Sequence, residues 1–127
     1  AEGERIAQAF FAASSSGDLD SLRAILAQDV TVRSDGGGKV WAFRNPIVGR
    51  DRVLRLYAGL RRKLAGRPPV LVAPTWIDGL PGYVSRERDG VLQTTALAIE
   101  DGRITAVYVT RNPDKLQHVC NLDVRMQ

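Results

Sequence analysis

The sequence predicts an α+β fold: a cone-shaped, curved antiparallel or mixed β-sheet with about three helices packed on it. Three observations carry this. The first half holds three segments with apolar residues at helical spacing. The second half is a run of strand-like segments separated by Gly- and Pro-containing turns. The last strands are apolar on both faces, with Leu92, Ala96 and Ala98 on one side and Val91, Leu97 and Ile99 on the other. A sheet of that kind is covered twice or curls around an interior.

Each element follows in order. In "ERIAQAFFAASSSGDLDSLRAIL", Ile6, Phe10 and Ala13 mark a first helix, and Ser14 to Gly17 are expected to break it. Asp18 is placed to cap a second helix, whose apolar stripe is Leu19, Leu22 and Leu26. "DVTVRS" alternates as a short strand with Val30 and Val32 on one face, and "KVWAF" resumes extended character after three glycines, a hairpin-like excursion. A basic helix is expected over about Asp51 to Leu64, with Val53, Leu56, Tyr57, Leu60 and Leu64 as its stripe. "AGRPP" ends it. "VLVAPTWI" is a strand in which Pro74 argues for an edge or a bulge. "DGLPG" is expected as a turn or loop, "YVSRER" as a strand, Asp89–Gly90 as a hairpin turn and "VLQTTALAI" as the next strand. "EDG" (Glu100–Gly102) makes another hairpin into "RITAVYVT". Asn112 caps and Pro113 opens a short helix to about His118.

Composition narrows the function classes. A chain of 127 residues is the size of one domain. Its 44% hydrophobic content supports a core without disulfide staples. The single cysteine, Cys120, forms no internal bridge, and a reducing, cytoplasmic setting is the simpler expectation. No apolar run is long enough to span a membrane, and the start shows no secretory pattern. The missing initiator Met suggests a fragment of something longer. The net charge of +4 is modest for a nucleic-acid binder. Its basic excess is concentrated in "GRDRVLRLYAGLRRKLAGR", the third helix and its flanks, at Arg50, Arg52, Arg55, Arg61, Arg62, Lys63 and Arg67, without interleaved aromatics. A solvated helix face explains it better than direct DNA contact. His118 and Cys120 supply too few ligands for zinc, so no metal or cofactor is expected.

"DGGGK" (Asp35 to Lys39) is not a phosphate loop. Its glycines are contiguous, and Val40, Trp41 and Phe43 favour a strand rather than a helix after it. A glycine-permitted turn or bulge is one reading. Three glycines in a row cost more conformational entropy than a turn requires. A backbone left open for close approach by a partner is the other reading.

The order of elements resembles the nuclear-transport-factor-2-like superfamily, which includes SnoaL-like polyketide cyclases and ketosteroid isomerases. The strings "DGGGK" and "NPDKL" (Asn112 to Leu116) are similar to the paired signatures of one group of bacterial extracytoplasmic-function sigma factors. "WAFRNPIVGRDRV" and "YVTRNPDKLQHV" look like that group too. In it, a SnoaL-like domain follows the two sigma domains. The resemblance implies a regulatory domain that modulates sigma activity through contacts with those domains, and through them with RNA polymerase. It places the contacts at Asp35, Gly36, Gly37, Gly38 and Lys39, and at Asn112, Pro113, Asp114, Lys115 and Leu116, with the tail after His118 contributing.

The alternative is a small-molecule-binding or isomerase-like enzyme using the pocket of the cone. Isomerases of this fold place a general base at the end of the strand entering the pocket. Ser34 occupies the matching position here, and Asp35 is one residue on, which turns a strand residue to the other face. No catalytic residue is therefore assigned. Ser34, Trp41, Tyr57, Trp76, Asp78, Tyr83, Thr94, Tyr108 and Thr110 are the candidates for lining a pocket, with a small apolar ligand left open. Asp35, Arg111 and Asp78 are the nearest approach to the Asp–Arg–Asp set of the epoxide-hydrolase variant of the fold. A homodimer through the sheet, common in SnoaL-like domains, also stays open.

Overall fold

A computed structural model describes residues 2–35, 46–63, 69–87 and 90–111, without the side chains of residues 35 and 60–63. The elements run α1 (Glu2–Ser16), α2 (Leu19–Ile25), β1 (Leu26–Asp35), β2 (Ile47–Val48), α3 (Arg50–Lys63), β3 (Val70–Ile77), β4 (Leu80–Arg86), β5 (Leu92–Glu100) and β6 (Arg103–Thr110).

The helices follow their apolar spacing. Ala7, Phe10 and Ala13 of α1 are buried at intervals of three. The serines do not break this helix as expected. The hydroxyls of Ser14 and Ser15 both donate back to the Phe11 carbonyl, and that of Ser16 to the Ala13 carbonyl. Their side chains satisfy helical carbonyls, so the helix runs on to Ser16. It ends at Gly17, whose φ of 80° lets the amides of Gly17 and Asp18 both reach the Ala13 carbonyl at 3.1 Å. Asp18 caps α2 as its position predicts. Its Oδ1 accepts from the Ser21 amide at 3.2 Å and its Oδ2 from the Ser21 hydroxyl at 2.6 Å. Those two bonds, the hydroxyl's first, hold its carboxyl below the ordinary aspartate value. Leu22 is fully buried, whereas Leu19 is exposed and Leu26 already opens β1. On α3 the buried residues are Val53 and Leu54, with Leu56 and Tyr57 packed against the core. Leu54 is a core position the expected stripe omits. Arg23 meets Asp51 at 3.4 Å between α2 and α3, an exposed pair that adds little to stability.

The strands form one six-stranded sheet in the order β2-β1-β6-β5-β4-β3. Only β1 and β6 pair in parallel; every other pair is antiparallel. Two Asp-Gly dipeptides close tight hairpins with positive φ at both central residues. They are Asp78–Gly79 (51° and 82°) between β3 and β4, and Asp101–Gly102 (51° and 77°) between β5 and β6. This is the conformation that matches the twist of the flanking strands. The first corrects the expectation for "DGLPG": the turn is two residues, and Leu80, Pro81 and Gly82 belong to β4. Asp89 and the expected helix from Pro113 lie outside the described residues. Pro74 sits on edge strand β3, beside a register shift between Leu71 and Ala73, so it removes no interior ladder bond.

The register sorts the sheet faces. Tyr83, Thr95, Val109 and Ser34 are successive partners across β4, β5, β6 and β1, and Leu97, Val107 and Val32 form the row beside them. Tyr83, Leu97, Val107, Val109 and Val32 join Phe10, Leu22, Leu26, Val30 and Val53 in the core, so this face carries the helices. The alternate residues face away. Among them Val84 and Ala96 are also buried, while Tyr108 is exposed.

Gly82 is required where β4 crosses β5. A Cβ there would lie 2.0 Å from the Thr95 carbonyl oxygen, a backbone atom with no room to yield. Gly59, inside α3, has open space where a methyl would stand, with nothing within 4 Å. Gly82→Ala is therefore expected to lower stability by about 2–3 kcal/mol in urea unfolding, and Gly59→Ala to raise it by about 0.5–1 kcal/mol. Equal effects of the two substitutions would contradict this register.

Candidate functional site

Strand alternation on the helix-bearing face ends in polar side chains. Along β4 and just beyond it come Tyr83, Ser85 and Glu87; along β5, Gln93 and Thr95; at the ends of β6 and β1, Arg111 and Ser34. Tyr57 joins them from α3 and Ser14 from α1. The Tyr83 hydroxyl is within hydrogen-bonding reach of Thr95 and Ser14. The fully buried Ser85 hydroxyl donates to Glu87 Oε2. Arg111, 4% exposed, donates from Nη1 to Gln93 Oε1 at 3.3 Å. The Ser34 hydroxyl is buried without a hydrogen-bond partner among the described residues. Aromatic rings bound the cluster: Tyr57 meets Phe10 edge to face at 5.6 Å, and Tyr83 meets Phe11 at 5.2 Å.

This environment sets the ionisation of both tyrosines. Burial pushes Tyr57 well above the ordinary tyrosine value, and the negative charge of Glu87 adds to it. Burial likewise raises Tyr83, helped by Tyr57 and Glu87 against the lowering effect of its hydrogen bonds to Thr95 and Ser14. Both hydroxyls are neutral donors at physiological pH. They could orient a carbonyl or hydroxyl group, but neither is poised as a base.

The sequence candidates divide. Ser34, Tyr57 and Tyr83 come together on the helix-bearing face. Thr94, Tyr108 and Thr110 belong to the reverse-face rows and do not line this cluster. Trp76 is 59% exposed on edge strand β3, where it helps wall a separate cavity. Asp78 is exposed at the β3–β4 turn. It precedes Ser85 by seven residues along extended chain, so it stands about 20 Å from the Arg111 end of the sheet. An Asp–Arg–Asp set from Asp35, Arg111 and Asp78 is thereby excluded. Trp41, Gly36 to Lys39 and Asn112 to Leu116 lie outside the described residues. Ser85, Glu87, Gln93 and Thr95 were missed. Their spacing of two along each strand was the only signal, and Arg86 and Thr94, polar residues between them, obscured it. Among the described residues no group of three or more metal-ligating side chains gathers, and no helix is long and apolar enough to cross a membrane.

The parallel pairing has a further result. Asp35, the first residue of "DGGGK", is the Cα partner of Thr110, two residues before "NPDKL". The two strands run the same way, so Asp35 and Thr110 lie side by side at one end of the sheet.

Over 112 residues the chain is 32% identical to the extracytoplasmic-function RNA polymerase sigma factor SigJ of Mycobacterium tuberculosis, covering 82% of this chain and 36% of that protein. The crystal structure of that sigma factor matches with a TM-score of 0.71 at 26% identity, covering 91% of this chain and 44% of that one. The chain has a SnoaL-like fold and is homologous to part of an extracytoplasmic-function sigma factor. This SnoaL-like domain thus spans well under half the length of the curated relative it matches. A SnoaL-like protein of unknown function from Burkholderia thailandensis shares its fold at a TM-score of 0.68 and 14% identity, covering 85% and 92% of the two chains. No protein-family model matches.

The tyrosines give a pH test. Their folded-state pKa values are raised, so their contribution is complete below the unfolded value of 10.0 and is lost as pH rises above it. Stability is expected to fall above that point by up to about 1.4 kcal/mol per pH unit for each of the two tyrosines. Denaturant unfolding of the Tyr57→Phe variant is expected to show a shallower alkaline loss than the parent; an identical slope would contradict a neutral, half-buried Tyr57 packed against the core.

Proposed function

We propose that this SnoaL-like domain regulates an extracytoplasmic-function sigma factor by contacting the sigma domains of the same polypeptide. The support is its homology to part of such a factor, together with one structural observation. The β1–β6 register sets Asp35, which opens "DGGGK", beside Thr110, two residues before "NPDKL". A contact surface made of two segments distant in sequence needs such a juxtaposition. Asp35 and Lys39, with Asp114 and Lys115, offer paired charges of both signs for fixing register against a partner. The three glycines allow a partner backbone close approach. Binding to RNA polymerase is then indirect, through the sigma domains, and the working compartment is the cytoplasm where transcription occurs. The cluster around Tyr57, Tyr83 and Arg111 lies at the strand ends from which these segments depart, so an occupant there is placed to bias the contact.

The test is association in trans. The domain and the sigma domains of its parent polypeptide are made separately and titrated by calorimetry. The Asp35→Ala, Lys39→Ala double variant is expected to weaken association about tenfold, the scale of one lost interfacial charge pair. Unchanged affinity would remove the loop from the contact, and absence of any association with the parent domain would overturn the reading.

A further inference from the structure

A cavity of about 190 Å³ lies between the first three turns of α1 and edge strand β3. It is separate from the hydroxyl cluster except for Tyr83, which borders both. Three aromatic rings wall it: Phe11, Trp76 and Tyr83. Phe11 and Tyr83 hold one another edge to face, with an interplanar angle of 76°. Trp76 keeps 59% of its surface in water, a large apolar area for a single edge-strand residue. Glu4, Gln8 and Phe11 follow at spacings of four and three, so α1 turns one continuous face to the cavity. Glu4 is the one charged residue among those lining it. Among the described residues it has no ion-pair partner. One end is pinned shut where Gly3 brings α1 onto Pro81; a Cβ at Gly3 would stand 2.9 Å from Pro81 Cγ.

We propose that this cavity is a binding site for a small organic cation, a quaternary or protonated amine on a compact apolar body. Aromatic faces attract cations through their quadrupoles, and Trp is the strongest of them. Glu4 adds a carboxylate at the rim, and Ala7, Leu71 and Pro74 in the wall suit the apolar body, beside the polar Gln8 and Thr75. An added peptide strand is a poorer occupant, because Pro74 removes a donor in the middle of the free edge. The net charge of +4 repels cations at long range, so selectivity for this ligand comes from the short-range contacts alone. The site is independent of the sigma-domain reading and survives its failure.

The test is calorimetric titration of the whole 127-residue chain with choline and with its uncharged isostere, in which carbon replaces the nitrogen. Choline is expected to bind saturably and the isostere about tenfold more weakly. Glu4→Gln is expected to weaken choline about fivefold, and Trp76→Ala to abolish saturable binding. Both residues are exposed, so neither change removes core packing. No saturable binding at tens of millimolar would overturn the proposal, as would equal binding of the isostere or unchanged binding by either variant.

Discussion

The parallel pairing of β1 with β6 is the constraint on which the rest depends. It closes the longest chain separation in the sheet, so it costs the most loop entropy and must be repaid by packing. The packing is visible in the register: Val32 beside Val107 beside Leu97, all fully buried. The pair joins the helical first half to the hairpin-built second half. Without it, β1 and β2, with α3 packed on β1, lose their strand link to the other four strands.

The same pairing organises the chemistry. It brings Ser34 beside Val109 and so to the end of the row that starts at Tyr83. It sets position 35 into the row of Thr110, Thr94 and Val84 instead. A strand residue cannot serve both faces, so on the helix-bearing face β1 ends at the Ser34 hydroxyl rather than at a carboxylate. What remains on the helix-bearing face is a set of neutral hydroxyls, an amide, a carboxylate and a buried arginine. That set suits recognition better than proton abstraction.

Much of the frame was legible where one residue type has one local use. Asp101–Gly102 announced a hairpin, Asp18 a helix cap and Pro74 an edge, because turn geometry, an open amide and a missing donor are local demands. Legibility failed where the answer depended on partners. Ser14 to Ser16 looked like a break, but their hydroxyls found helical carbonyls. Leu80 to Gly82 looked like a loop until β3 supplied a strand to pair with. Two-residue β2 had too little pattern to be seen. The site was the least legible part. Tyr83, Ser85, Gln93, Thr95 and Arg111 are scattered polar residues until the register aligns their strands. Of the expected pocket set, Tyr108 and Thr94 fell on the wrong face for the same reason.

The central claim is that one strand pair makes two distant segments into a single contact surface. A double-mutant cycle between Lys39→Ala and Asp114→Ala, read as sigma-domain affinity, tests it most directly. The account predicts non-additivity of at least about 0.5 kcal/mol, as for groups sharing one partner or one another's field. Additivity within about 0.3 kcal/mol would mean that the two segments act as separate, uncoupled sites.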